Sequence, residues 1–367
     1  MKKGSWLLIS LLVVLLSACS NTAENVSVQD EKESNVQEIS QDTVQEKNGQ
    51  VDRIQIKLLE NVTVDAEVTI PSNFLGEAAV YTAIVEGFNE EKAMSALGVN
   101  KEEFTVLAEE LYKHKMEETI FQFGNEAVAG SLSFHTELGS RSYVYDSRYE
   151  NAEEYAHITN LGEGKELDAF SSEEAQRKIQ ECLKGVGVDA VKVNVISALP
   201  AAFQQYEEDK QVEAGQLEAA DKLGEKWEDS YFIELTTTID GIPLYESTYV
   251  AADDSAYNGG KITAIISAQG IQHLVIPNQY RIDETSANSQ TIFSAEQILE
   301  KLKFKLENII LTEEIVVEKM ELYYFPTIVD TPKGEFQMIP VWKITLKDSY
   351  AEFTYLFNAV NGVEIIC

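Results

Sequence analysis

The side chains able to do chemistry here are few, apart from the carboxylates. Four histidines occur, His114, His135, His157 and His273. No two of them stand at metal-ligand spacing, and there is no HExxH, CxxC or Cys–His cluster. No P-loop, GxGxxG or GxSxG is found either. His273 falls inside a β-prone apolar run and His114 on an expected helix, so both read as packed or solvated. Of the three cysteines, Cys182 shares a helical stripe with Ala175, Ile179 and Leu183 and reads as a buried thiol. Cys367 is unassigned, and a Cys182–Cys367 disulfide has no motif behind it. The chain carries 62 acids, so carboxylate neighbours arise by chance alone. A glycosidase-type pair stays open as a possibility without a location. No catalytic, cofactor-binding or metal-binding residue is assigned, and no cofactor is expected.

The remaining cysteine, Cys19, sits in a more informative setting. Lys2 and Lys3 precede an apolar run from Trp6 to Leu16, broken only by Ser10. A secretory signal needs an apolar core of roughly 7–15 residues, whereas a spanning helix needs roughly 20. The run closes on Leu16, Ser17, Ala18 and Cys19, which resemble a bacterial lipobox. That resemblance implies a signal peptide over 1–18 and a lipid on Cys19. The expected location is the extracytoplasmic face of a cell membrane. Residues 19–50 are rich in Asn, Gln, Ser and Glu, hold no aromatic, and are expected to form a disordered tether. A coil of that length reaches roughly 30 Å.

The formal net charge is −33. So negative a surface repels phosphates and anionic headgroups, which excludes nucleic acid as a partner. The lipid, rather than a basic patch, is then the expected membrane contact. Cationic partners, metal ions or a basic peptide remain compatible.

Two α+β domains are expected, 51–165 and 166–367. In the first, Ile54, Ile56 and Leu58 alternate, and so do Val62, Val64, Ala66, Val68 and Ile70. Val80–Val85 is a further strand. A short helix opens at Asn89. A second is predicted from Asn100, with Glu103 as capping acid and Phe104, Leu107, Ala108, Leu111 and Tyr112 at helical spacing. Leu132–Glu137 and Arg141–Asp146 predict a hairpin.

The second domain contains a repeat. Phe170-Ser171-Ser172-Glu173-Glu174-Ala175 and Phe293-Ser294-Ala295-Glu296-Gln297-Ile298 each open a helix with a serine N-cap, a capping box and a hydrophobic staple. The second helix buries Ile298, Leu302, Leu306 and Ile309 on this reading. Each helix is followed by a strand, to Pro200 in one copy and Pro326 in the other. A polar insertion follows, 203–228 in the first copy, and then a hairpin. One hairpin turns at Asp240-Gly241; the other pairs Val341–Leu346 with Phe353–Phe357. The first copy adds a hairpin around Gln269-Gly270. Phe88–Ala93 is a weaker third helix opening, with Lys92 where the capping acid belongs.

The capped helix, the meander and the closing Phe357-Asn358-Ala359-Val360-Asn361-Gly362-Val363-Glu364-Ile365 resemble PepSY-like domains of bacterial surface proteins, as does Pro340-Val341-Trp342. Asn358 and Asn361 depart from the usual Asp and Thr. The whole chain resembles surface lipoproteins of clostridial-type bacteria, and more distantly the membrane-tethered regulators of the Yyc (Wal) histidine kinase. The resemblance implies a non-enzymatic module that binds an envelope protein or ligand, with no catalytic residues to carry over. The alternative is a cell-wall or polysaccharide hydrolase using two acids.

Overall fold

A computed structural model describes residues 52–84, 91–97, 162–246 and 259–366 with short interruptions, and the backbone alone of further strands within 44–51, 85–90, 104–144 and 249–257. The chain opens with β1 (Val44–Lys47), β2 (Gln50–Leu59), β3 (Val62–Thr69) and β4 (Glu77–Val85). Alternation puts Val62, Val64, Ala66 and Val68 into the core, while Asp65 faces outward and accepts from Arg53 Nε at 2.8 Å. A period of two on one half-buried strand accounts for this pattern.

Helix α1 (Glu90–Ala96) follows, then β5 (Phe104–Leu111), β6 (Glu117–Asn125), β7 (Val128–His135) and β8 (Arg141–Val144), an antiparallel meander. The helix predicted from Asn100 is therefore strand β5 from Phe104 onward. A bulge between Val106 and Ala108 breaks the alternation of its apolar residues and leaves them at helix-like spacing. Pairing with β6 outweighs the local capping signal.

The next unit is α2 (Ser172–Gly185), β9 (Val191–Leu199), α3 (Ala201–Glu213), β10 (Ser230–Ile239), β11 (Ile242–Pro243), β12 (Tyr249–Val250), β13 (Ala256–Tyr257), β14 (Lys261–Ser267) and β15 (Gly270–Ile276). After β16 (Tyr280–Thr291) comes the last unit: α4 (Ala295–Leu306), β17 (Ile315–Asp330), β18 (Glu335–Lys347), β19 (Glu352–Asn358) and β20 (Glu364–Ile365). Helix followed by antiparallel meander thus recurs in all three units, as β5-β6-β7-β8, β9-β10-β14-β15 and β17-β18-β19-β20. The α+β class with antiparallel sheets is as expected from sequence.

One sheet runs β1-β2-β3-β17-β18-β19-β20, with β4 on β18 and β16 on β4. The other runs β5-β6-β7-β8-β15-β14-β10, with β9 on β10. β3 and β17 pair in parallel, and β8 pairs with β15. Strands from either side of residue 165 therefore enter both sheets. A hairpin leaves an open edge, and each of these edges is closed by a strand distant in sequence.

Helix α4 lays Ile298, Leu299, Leu302 and Leu306 on the first sheet, and α2 lays Ala175, Ile179, Cys182 and Leu183 on the second. The Ser294 cap is a full box: Gln297 N–H donates to Ser294 Oγ at 3.3 Å, and Gln297 Oε1 accepts from Ser294 N–H at 2.8 Å. The Ser171 cap is half of one. Its Oγ accepts from Glu174 N–H at 3.1 Å, but Glu174 leans toward Lys178 at 3.6 Å. Glu166 caps a different donor, the Ser172 N–H, at 2.9 Å. Ile309 lies past the end of α4 and is 46% exposed, contrary to the expected stripe. Strand β17 runs through Pro326, which pairs with Met338. Its ladder with β3 ends at Glu321, so the missing N–H falls where one flank has left the sheet.

Within the polar insertion, α3 turns Gln204, Glu207 and Glu208 inward. Gln204 Nε2 donates to the carbonyls of Leu199 and Glu228 at 3.1 and 2.9 Å, and Gly224 N–H donates to Glu208 Oε2 at 2.9 Å.

Candidate binding face at the junction of the sheets

Cys19, Leu16, Ser17, Ala18 and Cys367 lie outside the described residues, as do the side chains of His114, His135 and His157. His273 is buried on β15. Cys182 is buried under α2, and burial pushes its thiol up to about 12, which makes it unreactive. Among the described residues no group of three or more His, Cys, Asp and Glu could hold a metal ion. No helix among them is long and apolar enough to cross a membrane. The aromatics crowded into the last unit are largely packing: Tyr324, Trp342 and Phe357 enter the first core, and Tyr323 and Phe325 form a smaller cluster on the other side of the strand.

The sheets meet at a short strap that follows β10. Asp240 and Gly241 take positive φ values of 53° and 78°, as a type I′ hairpin turn requires. Ile242 and Pro243 then pair back onto β10, and Leu244 N–H donates to Thr237 C=O at 2.8 Å. Leu244 crosses over and bridges to Tyr324 in parallel, with Tyr245 N–H donating to Tyr324 C=O at 2.8 Å. Gly260 N–H donates to Tyr245 C=O at 3.0 Å. A Cβ on Gly259 would lie 2.2 Å from the carbonyl carbon and oxygen of Glu246, and one on Gly260 would lie 2.7 Å from Thr237 Oγ1. The Gly259-Gly260 pair is therefore what allows the strap to approach so closely.

Tyr81 pins the turn, its hydroxyl donating to Asp240 at 2.5 Å. Burial, reinforced by Asp240, pushes that phenol up to about 12. Tyr324 donates to Ala79 C=O at 2.7 Å. Tyr245 lies between Tyr323 and Phe325, with ring centroids 6.0 and 5.5 Å away.

Beyond the strap, Glu246 meets a group of charges. Glu234 pairs with Lys261 at 2.7 Å, and Glu321 with Lys343 at 3.7 Å. Glu246 has weaker company: Asn194 Nδ2 and Thr236 Oγ1 donate to its Oε1 at 3.4 and 3.5 Å. Burial raises its carboxyl above the ordinary value; Glu234 and Glu321 add to the shift, and Lys343 and Lys261 oppose it.

Three cavities adjoin the segment Ile70–Gly76, and the first and third of them also adjoin the strap. The first, about 540 Å³, is lined by Phe74, Leu75, Glu77, Asp240, Ser289 and Tyr324 among others. The second, about 390 Å³, is lined by Ile70, Phe74, Leu75, Phe293, Glu296 and Trp342 among others. Both volumes suit a small ligand or an anchoring side chain. They share Phe74 and Leu75, which form the ridge between them, and Leu75 is 92% exposed. The third, at about 190 Å³, is smaller and is lined by Lys192, Glu321 and Tyr323. The carboxylates of the largest cavity already have partners: Asp240 accepts from Tyr81, and Glu77 accepts from Ser289 Oγ at 3.1 Å.

Sequence reasoning read Asp240-Gly241 as an ordinary hairpin and passed over residues 72–76. The available signal was an apolar pair, Phe74-Leu75, standing in a turn between Pro71 and Gly76 where burial is not expected.

No protein family and no curated protein matches this sequence. A solved structure of an uncharacterized protein from Eubacterium rectale ATCC 33656 shares the fold, with a TM-score of 0.63 and 17% identity over 86% of this chain and 94% of that one. The C-terminal domain of Bacillus megaterium YpeB is weakly similar, with a TM-score of 0.34 and 10% identity over 76% of this chain and 96% of that one.

Proposed function

We propose that this chain is a non-enzymatic extracytoplasmic lipoprotein, anchored through Cys19, that binds an envelope protein or ligand and regulates it. The observation that carries the binding role is the pair of cavities sharing the Phe74–Leu75 ridge, where Phe74 is half-buried and Leu75 exposed; their carboxylates are already held by Tyr81, Ser289 and Ser294. Exposed apolar side chains rimmed by polar groups mark interaction sites. The order of helix then meander in each unit supports the PepSY-like reading of the repeats.

The test is capture from solubilised membranes with the full chain and with Leu75→Asp. The wild type is expected to retain a partner or ligand that the variant loses. Failure to recover anything, or equal recovery by both, would overturn the reading. Cys19→Ala tests the anchor: the variant should leave the membrane or remain unprocessed. Membrane-bound variant at mature size would mean that the lipid is not the anchor.

A second reading, hydrolysis by two acids, is favoured by one observation: Glu77 and Asp240 line the same cavity. It requires the purified chain to release reducing ends from cell wall or polysaccharide, and Asp240→Asn to abolish that release.

A further inference from the structure

We infer that the paired cavities bind a cationic peptide segment of another protein, anchored by aliphatic side chains on either side of the Phe74–Leu75 ridge. This rests on the binding role proposed above and gives it a chemistry. The two cavities present an apolar floor, with Ile70, Phe293 and Trp342 in one and Ile242 and Tyr324 in the other. Their ionisable lining is of one sign: Glu77 and Asp240 in the first, Glu296 in the second. No lysine or arginine is among the described residues lining either. Lys301 lies 5.4 Å over the Phe293 ring and lines neither cavity.

The carboxylates and the apolar floor select together. An acidic segment would bring like charges against Glu77, Asp240 and Glu296 at a face of a chain whose net charge is −33. Those carboxylates already accept from Tyr81, Ser289 and Ser294, but a purely apolar segment would strip water from them while offering no counter-charge, which is costly. Lysines or arginines at the rim with leucine-like anchors between them satisfy both requirements, and rim charges of this kind speed encounter and set specificity. Phe74 and Leu75 belong to both cavities, so a bound chain straddles the ridge and seats an anchor on each side. Nucleic acid and anionic lipid are ruled out by the same sign of charge.

The probe is a short fluorescein-labelled peptide of alternating lysine and leucine, titrated by anisotropy against the full chain in detergent. Two control peptides accompany it, lysine–serine and glutamate–leucine. Leu75→Ser is expected to weaken binding of the lysine–leucine peptide by about tenfold, as truncation of a central anchor does. The double variant Glu77→Gln/Glu296→Gln should weaken it comparably and flatten its salt dependence. Glu173→Gln/Glu181→Gln, exposed on α2, should leave it within about twofold. Both control peptides should bind more weakly. The inference is overturned if the lysine–serine peptide binds equally well, if Leu75→Ser has no effect, or if neutralising α2 weakens binding as much as neutralising the groove. Each of these would mean diffuse attraction to an acidic protein. Membrane capture still lost in Leu75→Asp, with no response to the lysine–leucine peptide, would leave the binding face standing and remove its cationic partner.

Discussion

The second and third units share an element order and differ in what interrupts it. In the third, α4 is followed by β17, β18 and β19, whose ladders run long and nearly continuous, from Val316↔Lys347 to Asp330↔Glu335 and from Val341↔Asn358 to Lys347↔Glu352. In the second, α3 separates β9 from β10, and the strap with β11, β12 and β13 separates β10 from β14. The uninterrupted unit supplies core. The interrupted one sends Asp240–Glu246 across to β4 and β17, where it helps form the largest of the three cavities described. A rigid repeat positions the site, and an insertion in its sister builds it.

The contrast can be broken most severely through the cores. Leu302→Ala in α4 and Ile179→Ala in α2 should each lower stability by about 2–5 kcal/mol in urea unfolding, because both side chains are fully buried. If the units behave as one cooperative body, both variants shift a single transition; two separable transitions would assign each helix to its own sheet.

Next comes the strap. Gly259→Ala should cost about 2–4 kcal/mol, since the new methyl meets backbone atoms at 2.2 Å that cannot swing away. Gly215→Ala provides the comparison. It has open space around it and only its φ of +70° to strain, and should cost about 1 kcal/mol. Equal effects would mean that the strap is not seated as closely as described.

The caps should differ by less. Ser294→Ala removes the Oγ that accepts from Gln297 N–H and donates to Glu296, and should cost about 1–1.5 kcal/mol, while Ser171→Ala removes the single bond from Glu174 N–H and should cost about 0.5–1 kcal/mol. Thermal unfolding of the two variants side by side reads the difference.

The smallest effect expected is the pH dependence at the junction. Glu246 has a folded pKa above its ordinary value of 4.5, so the folded state holds that proton more tightly. Its contribution is fully present below 4.5 and is lost as pH rises through the raised value. Glu246→Gln should flatten the stability profile above 4.5 and leave the chain more stable near neutrality. Glu166 acts in the opposite direction. Bonds from the side chain and backbone of Ser172, and from Tyr231, hold its carboxyl below the usual range, so its contribution is present above 4.5 and fades on acidification. A Glu246→Gln profile that still falls with rising pH in this window would remove Glu246 as its source.

Much of the fold was legible because its signals are local. Alternation from Ile54 to Ile70 gave β2 and β3. The serines at 171 and 294 opened α2 and α4, and Asp240-Gly241 made a turn with both φ values positive. The β5 strand was misread because its bulge mimics a helical period, and α4 ended before Ile309. The 165/166 boundary did not mark a division between sheets, since nothing in β3 or β8 announces which distant strand will close its edge. The candidate site was the least legible part. The Phe74-Leu75 pair, Asp240 and Trp342 are far apart in the chain, and no periodicity links them.

What the sequence determined by itself is the set of pieces: an apolar run from Trp6 to Leu16 that closes on Ser17, Ala18 and Cys19, an acidic chain of charge −33, and units of a capped helix followed by a meander. Hydrophobic period, capping chemistry and charge are properties of short stretches, so they can be read without knowing what lies alongside. Tertiary structure alone decided that β17 would lie parallel to β3, that Gly259 would admit the strap, and that Leu75 would remain in solvent between two cavities. Those outcomes depend on which surfaces meet, and no local signal carries that information.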